Sequence, residues 1–543
     1  METPAHTERV LSGQPASPGH ALGPVVRLAA QEVLARTAGT QAEERKALED
    51  AVAKAIGEID ALVASASGPA ADMLEFQSAM LADESLRDPA LVAIAEGRPA
   101  DAAWSAALGD QITEYQSASD EYFRARAADL GDLRDRVLRR LAGQSVAQTI
   151  LPGSIVAADE LTPSQFLEAD WSQGGAIMLA AGSASSHVAM LARARGVPLV
   201  VGFADLPLEG HTTALIDGAL GRVVLSPGAA ELSRFALDQA AANDRRDVEQ
   251  LALISAARTR DGALISVLVN ISGPDDLKSI DPATCDGIGL FRTELMFRDG
   301  GPLPDENQQY NAYRRCLEWA GGKPVTIRTL DIGGDKPVRG LTPAGESNPF
   351  LGSRGIRLML ARSDVFSVQL RALARAASHG ALKVMLPMVT LPSELAAASR
   401  LLDQAVADLT REGTPCRRPP LGIMIEVPAA AIMAARFYEA AFFSIGSNDL
   451  TQYVMAASRD TPAVASLNEG APEAVLHLMA GTVAAAKTLG IDVSLCGDLA
   501  GDSRVLVPLL ATGLRSFSVA PVALGRVKHA LSGLILGGGD GQT

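Results

Sequence analysis

The sequence predicts an α/β protein built on a C-terminal (β/α)8 barrel, preceded by an α/β domain that carries a helical insert. Three observations lead there. Between Ile265 and Ala520 about eight short apolar runs alternate with helical stretches, the pattern of a parallel barrel. Ionisable residues stand where several of those runs end, and such barrels build their active sites at the carboxyl ends of their strands. Upstream, segments of strand texture flank a long glycine-poor stretch rich in Ala, Leu, Glu and Arg.

The elements follow in order. Leu11 to Leu28, with Gly13, Pro15, Pro18, Gly19 and Gly23, has the texture of strands and turns. From about Ala30 to Leu141, runs such as Glu43–Ser65, Ala90–Ala95 and Tyr122–Leu141 repeat apolar residues at helical spacing, so a helical hairpin or bundle is expected after the first strand. Strand texture returns at Ser154–Ala158 and continues through Gly175–Ala180, Leu199–Val201, Thr213–Ile216 and Arg222–Leu225. Glu231–Arg258, without Gly or Pro, reads as a connecting helix. The expected barrel strands are Ile265–Val269, Gly287–Phe291, Val325–Leu330, Leu382–Val389, Leu421–Val427, Phe442–Gly446, Val493–Gly497 and Ser516–Ala520. The expected division is residues 1–29 with 142–227 for the α/β domain, 30–141 for the insert, 228–260 for a linker helix and 261–536 for the barrel. The glycine-rich 537–543 is expected to be a disordered tail.

Composition narrows the class. A chain of 543 residues with 48% apolar but only 4% aromatic content can bury sizeable cores in more than two domains. No apolar run approaches the ~18 residues of a membrane span, and the start, Met1-Glu2-Thr3-Pro4, lacks the regions of a signal peptide. A net charge of −15 argues against a general nucleic-acid or anionic-membrane surface. Cys285, Cys316, Cys416 and Cys496 form no CxxC pair, which suits a reducing cytoplasm and gives neither a disulfide framework nor a zinc site. A cytoplasmic protein with no nucleic-acid partner and no membrane insertion is expected.

Two groups of residues carry chemistry. The first is Gly182-Ser183-Ala184-Ser185-Ser186-His187, a small-residue loop leading into a helix. A histidine there meets free backbone N–H groups and the positive end of the helix dipole, a setting that can cradle a phosphoryl group and favours a neutral, nucleophilic imidazole. The plainer alternative is a histidine that caps a turn.

The second is the rim. Arg292 follows an apolar run and Arg328 lies within one, and Asn348–Arg357 brings Arg354 and Arg357. Guanidinium forks suit phosphate and carboxylate; the alternative is ion pairing within the protein. Glu426, and Asn448 with Asp449, end two further runs, and two carboxylates with substrate oxygens and water make a Mg2+ site, unless each caps the following helix. Cys496 ends the seventh run. A thiol there can give or take a proton, whereas most cysteines in apolar runs, here Cys285, Cys316 and Cys416, are small core residues.

Taken together these segments resemble the phosphoenolpyruvate-protein phosphotransferase family, enzyme I of the bacterial sugar phosphotransferase system. The resemblance runs from Ala16-Ser17-Pro18-Gly19 through Glu121-Tyr122-Phe123-Arg124 to Phe517-Ser518-Val519. It is most specific at the histidine loop, at 289–294 (Gly-Leu-Phe-Arg-Thr-Glu), 331–337 (Asp-Ile-Gly-Gly-Asp-Lys-Pro), 348–352 (Asn-Pro-Phe-Leu-Gly) and 444–453 (Ser-Ile-Gly-Ser-Asn-Asp-Leu-Thr-Gln-Tyr). The resemblance implies that phosphoenolpyruvate and Mg2+ bind at the barrel rim. The phosphoryl group would pass to a histidine on a swivelling phosphohistidine α/β domain, then to the phosphocarrier protein HPr, which binds the helical insert. By motif match the acceptor is His187, the metal ligands are Glu426 and Asp449, and the substrate contacts are Arg292, Arg328, Asn448, Asp449 and Arg459. Cys496 matches the residue that protonates the enolate carbon as pyruvate forms. The resemblance also implies a homodimer joined through its barrels.

The departures cluster around the histidine. Ser183 stands where the family usually has Gly, Ala184 where it has Arg, Ser185 where it has Thr, and Val188 where Thr, Ser or Ala is usual; Ser353 replaces a common Trp. Ala184 removes a cation and Val188 a hydroxyl, yet the acceptor, the carboxylates and the thiol remain. Pyruvate, phosphate dikinase and phosphoenolpyruvate synthase share the histidine and barrel domains but need an ATP-grasp domain, for which no room is expected before His187. A nitrogen-regulatory member would carry a GAF domain, and none is expected before Leu11. A non-catalytic phosphorelay regulator is opposed by the retention of His187, Glu426, Asp449 and Cys496.

Overall fold

The computed structural model describes residues 8–28, 36–65, 69–117, 121–144, 150–184, 186–203, 205–297, 302–334, 338, 340–342, 346, 348–458, 461, 464 and 466–536. Within its helices the side chains of 64–65, 69–72, 114, 116–117, 121–126, 128, 187 and 194 are outside that description. The expected tail at 537–543, and Arg459, lie outside the described residues. Contacts divide the chain into two compact units, Met1–Ala242 and Asn243–Thr543.

The first unit holds strands β1 (Arg9–Ser12), β2 (Gln14–Ser17), β3 (His20–Arg27), β4 (Ile155–Ala158), β5 (Ala176–Leu179), β6 (Leu199–Val201), β7 (Thr213–Asp217) and β8 (Arg222–Leu225). Their order in the sheet is β1-β8-β7-β3-β4-β5-β6-β2. The run β3-β4-β5-β6 is parallel, and every residue of β4 and β5 is buried, as both faces of a covered parallel sheet require. The opening segment, read as strands and turns, folds as the three strands β1, β2 and β3. Gly13 separates β1 from β2, and a Cβ there would lie 2.7 Å from the Val201 carbonyl oxygen.

Between β3 and β4 come helices α1 (Gln41–Ser65), α2 (Pro69–Ala82), α3 (Glu84–Ala95), α4 (Ala100–Ser117) and α5 (Glu121–Leu141). They bury Leu48, Ile59, Leu74, Leu81, Trp104 and Val137 in a common core. Helix α6 (Pro163–Glu168) follows β4 and α7 (His187–Arg195) follows β5. α5 is tied to α6 by polar contacts: the Ser164 hydroxyl donates to Asp132 at 2.5 Å, and Arg136 Nη2 donates to Glu168 at 2.6 Å.

The helix expected over 231–258 is α8 (Ala229–Leu253), which crosses the division between the units. It stops earlier because its last turn is capped from outside: the Lys528 ammonium donates to the carbonyls of Leu253 and Ser255 at 2.8 and 2.9 Å. Arg258 instead forms an isolated bridge with Leu264.

In the second unit β9 (Ser266–Ile271), β10 (Ile288–Arg292), β11 (Val325–Arg328), β12 (Leu382–Leu386), β13 (Leu421–Ile425), β14 (Phe442–Gly446), β15 (Asp492–Cys496) and β16 (Ser516–Val519) close a barrel. All neighbours run parallel. The predicted fold class, a closed parallel barrel after an α/β unit with inserted helices, is the one found. Several strands end sooner than expected. β11 stops at Arg328, β12 before Pro387 and β13 before Glu426, so the charged residues stand at or just beyond the strand ends.

Outward-facing residues such as Ile288, Val325, Ile423, Phe443 and Phe517 are fully buried in the main core. Inside, Leu290, Met385, Met424, Phe442 and Cys496 form a small apolar layer. The barrel is thus packed, not a pore, and this layer is the floor of what lies above it.

Candidate active site

Above that floor, one cavity is lined by Arg292, Arg328, Glu426, Asn448, Asp449 and Cys496 together with Asp331, Phe350 and Arg354. Strand ends place these groups. Arg292 ends β10 and Arg328 ends β11, Glu426 follows β13, and Cys496 ends β15. Asn448 and Asp449 open helix α9 (Ser447–Met455), which follows β14 directly.

The charges form a row. Arg328 Nη2 donates to Glu294 at 3.0 Å, and its Nη1 lies 3.2 Å from Asp331. Asp331 also receives Arg354 Nη2 and Nε at 2.9 and 3.2 Å. Arg354 continues to Asp449 at 3.5 Å and to the Tyr453 hydroxyl at 3.3 Å. Burial would lower both guanidinium pKa values, but the surrounding carboxylates, Glu294 and Asp331 for Arg328 and Asp331 and Asp449 for Arg354, hold them above the ordinary range. Buried ion pairs of this kind hold geometry more surely than they add stability. The intraprotein alternative for the arginines is therefore real for Arg328 and Arg354. It is incomplete, since Arg328 Nε is buried without a hydrogen-bond partner. Arg292, half-buried, shows no hydrogen bond or ion pair among the described residues. Arg357 turns away, donating to the Gly352 carbonyl and the Thr390 hydroxyl.

The two carboxylates do not cap helices. Glu426 is fully buried and accepts the Met388 N–H at 2.6 Å. Burial first, then the charges of Asp449 and Asp331, push its pKa up to about 8. Asp449 makes no capping bond in α9 and instead faces Arg354. Gly446 keeps the space between strands open, because a Cβ there would lie 3.0 Å from both Glu426 Oε2 and Met424 Sδ. Asn448 is locked by a two-way bond with Asp498: its Nδ2 donates to Oδ2 at 3.1 Å and its Oδ1 accepts the Asp498 N–H at 2.8 Å. Among the described residues no three His, Cys, Asp or Glu side chains form a metal cage.

Cys496 is both a floor residue and a rim residue. Its thiol is buried, donates to the Ile445 carbonyl at 3.3 Å and accepts from the Ser444 hydroxyl at 3.6 Å. Burial raises its pKa above the ordinary thiol value, the Ser444 hydrogen bond opposing. Sequence reasoning placed Arg354 among the rim arginines but missed Glu294, Asp331 and Asp498 as site residues. Glu294 and Asp331 sit in the motifs at 289–294 and 331–337, and the remaining signal was the aspartate two positions after Cys496.

In the first unit His187 opens α7. Ser186 is the N-cap, accepting the Ala189 N–H at 3.2 Å, and Gly196 ends the helix in the left-handed region at φ 67°. Arg193 donates to the Ala16 and Ala184 carbonyls at 2.6 and 2.8 Å, fastening the loop to β2. Ser185 and the His187 side chain lie outside the described residues.

Comparison with known proteins bears on this geometry. The family model "PEP-utilising enzyme, PEP-binding domain" matches residues 246–535, the N-terminal model of the same enzymes matches 12–126, and their mobile-domain model matches 150–221. The phosphoenolpyruvate-protein phosphotransferase of Geobacillus stearothermophilus is 35% identical over 530 residues, covering 95% of this chain and 92% of that one. The chain belongs to the phosphoenolpyruvate-protein phosphotransferase family of PEP-utilising enzymes. A second phosphotransferase, from Haloferax volcanii, is 40% identical over 461 residues, covering 83% of this chain and 80% of its own. The multiphosphoryl transfer protein of Rhodobacter capsulatus is 37% identical over 96% of this chain, which spans 64% of that relative's length. Among the described residues of this phosphotransferase-family chain no helix is long and apolar enough to cross a membrane.

Proposed function

We propose that this protein transfers the phosphoryl group of phosphoenolpyruvate to its own His187 and then to the phosphocarrier protein HPr, releasing pyruvate, as the first step of a sugar phosphotransferase system in the cytoplasm. The observation that carries the reading is the single cavity in which Arg292, Arg328, Asn448, Glu426, Asp449 and Cys496 converge within a chain of this family.

Each group has a task that its chemistry suits. Arg292 brings a half-buried guanidinium to the cavity, and Arg328 brings an unused Nε donor; with Arg459 they would grip phosphate and carboxylate oxygens. The Asn448 amide, held by Asp498, would orient the substrate. Glu426 and Asp449 would hold Mg2+, and the fit rests on two carboxylates facing one cavity, one of them pushed up to about 8 by burial and by its anionic neighbours. When bound, that ion would neutralise charge on the transferring oxygens. His187 would take the phosphoryl group at the amino end of α7, where the positive end of the helix dipole favours an anion. The Cys496 thiol would then give its proton to the enolate carbon, completing pyruvate.

The helical insert α1–α5 offers the surface for HPr, and the barrels offer one for a homodimer, both by analogy with the family. The division into a phosphohistidine domain, insert, linker helix and barrel belongs to the same reading. The test is an assay of pyruvate release with purified HPr. Release that depends on both HPr and Mg2+ supports the proposal; His187 labelling from phospho-HPr with no release of pyruvate from phosphoenolpyruvate would favour a non-catalytic relay protein.

A further inference from the structure

The Cys496 sulfur is served by two groups of opposite preference, and both come from β14. The register pairs Ser444 with Ser494, Ile445 with Leu495 and Gly446 with Cys496, so the thiol lies between a hydroxyl and a carbonyl of the neighbouring strand. The Ile445 carbonyl, 3.3 Å away, can only accept, and it suits the neutral S–H. The Ser444 hydroxyl, 3.6 Å away, donates to the sulfur. Ser444 is wholly buried, and among the described residues the Cys496 sulfur is the partner its hydroxyl has. Alanine at this place would leave no buried hydroxyl to satisfy. A serine whose hydroxyl meets a sulfur is therefore a feature that packing alone does not call for.

We propose that Ser444 is a positioning residue for Cys496, its hydroxyl steadying the sulfur in the anionic form left when the thiol proton moves to carbon. The inference rests on the proton-donor reading of Cys496 given above. In that step the S–H bond breaks, a C–H bond forms at the enolate carbon from the enolate's electron pair, and sulfur keeps the S–H pair as thiolate. Water later returns a proton to the sulfur. A hydroxyl hydrogen bond to a neutral thiol is weak, whereas the same bond to a thiolate is charge-assisted. Ser444 thus contributes chiefly after proton transfer, which is the differential stabilisation that raises turnover rather than affinity. Other charged groups bear on the same sulfur: Glu426 disfavours the thiolate, while Arg328 and Arg292 favour it.

The experiment uses the full chain with Ser444→Ala, and Cys496→Ala as control. Three quantities are read: steady-state pyruvate formation with HPr and Mg2+, single-turnover labelling of His187 from phosphoenolpyruvate, and the rate of iodoacetamide capture at Cys496 against pH, resolved by peptide mass. Ser444→Ala is expected to lower kcat about tenfold, the typical effect of one charge-assisted hydrogen bond. KM and single-turnover labelling should stay near parent values, and the capture midpoint should move to higher pH. An unchanged midpoint overturns the pairing. Equal losses in labelling and in turnover overturn it as well, because they mark a merely structural serine. If Cys496→Ala turns over at the parent rate, the proton-donor reading has failed and with it the catalytic role of Ser444. The capture midpoint of Ser444→Ala then shows separately whether the hydroxyl still stabilises the thiolate.

Discussion

Asp331 and Arg354 meet through two prongs, Nη2 to Oδ2 at 2.9 Å and Nε to Oδ1 at 3.2 Å. The same Asp331 carboxylate lies 3.2 Å from Arg328, so one buried anion sets the spacing of two cations at the rim. On the far side Arg354 reaches Asp449. The carboxylate assigned to the metal and the arginine assigned to the substrate are thereby linked through side chains that need touch neither. A shift at any link is passed along a row with little solvent to screen it.

Asp331→Asn should therefore weaken substrate binding without touching substrate. The variant keeps the shape but leaves two buried guanidinium groups short of an anion. KM for phosphoenolpyruvate is expected to rise by about tenfold or more, the usual scale for losing a hydrogen bond to a charged group. Steady-state kinetics with HPr in excess measure it, and a KM within twofold of the parent would show that the arginines hold their places unaided.

Glu426→Gln and Asp449→Asn test the cation site separately from the arginines. Each removes one negative charge at nearly constant shape. Mg2+ affinity, read as the metal dependence of pyruvate release, should fall at least about 10–100-fold, the range seen when even outer supporting groups of a metal site are changed. Unchanged metal dependence in either variant removes that residue from the ligand set.

For His187, the substitution His187→Ala should abolish labelling from phosphoenolpyruvate while the circular dichroism spectrum stays that of the parent. His187 stands at the first position of α7, after the Ser186 cap, and Arg193 and Gly196 fasten the loop and the helix end without it. Acid-labile, base-stable phosphate on the variant would sink the assignment.

Much of this was legible in the sequence because a parallel barrel writes itself as apolar runs buried on both faces. Phe442–Gly446 was read with its observed bounds, and Val493–Gly497 was offset by one residue from Asp492–Cys496. Strand ends carry the site, so reading the strands also read Arg292, Glu426, Asn448, Asp449 and Cys496 onto one rim. The row through Glu294, Asp331 and Arg354 was not legible, because it depends on where loops after β10 and β11 bring their side chains. Periodicity says nothing about that. Likewise the early end of α8 depends on Lys528, about 275 residues away in sequence, and no local pattern in 231–258 announces it.

The last prediction concerns pH. Asp132 on α5 is fully buried beside Ser164 and Arg136. Burial raises its pKa above the ordinary carboxylate value; Arg136 and Ser164 oppose but do not cancel that effect. A folded-state pKa above the unfolded one means that the folded state holds the proton more tightly. Below the unfolded pKa both states are protonated and the carboxylate imposes no penalty. As pH rises through the folded pKa the penalty grows, and above it the penalty is present in full. Asp132→Asn removes the ionisation and retains an acceptor for the Ser164 hydroxyl. Amide hydrogen exchange in α5 and α6 of the full chain should therefore be slower in Asp132→Asn than in the parent at pH 8, with the ratio closing toward unity near pH 4. Faster exchange in the variant at pH 8 would show that the Asp132–Arg136 pair stabilises the join between insert and sheet more than burial of the charge costs it.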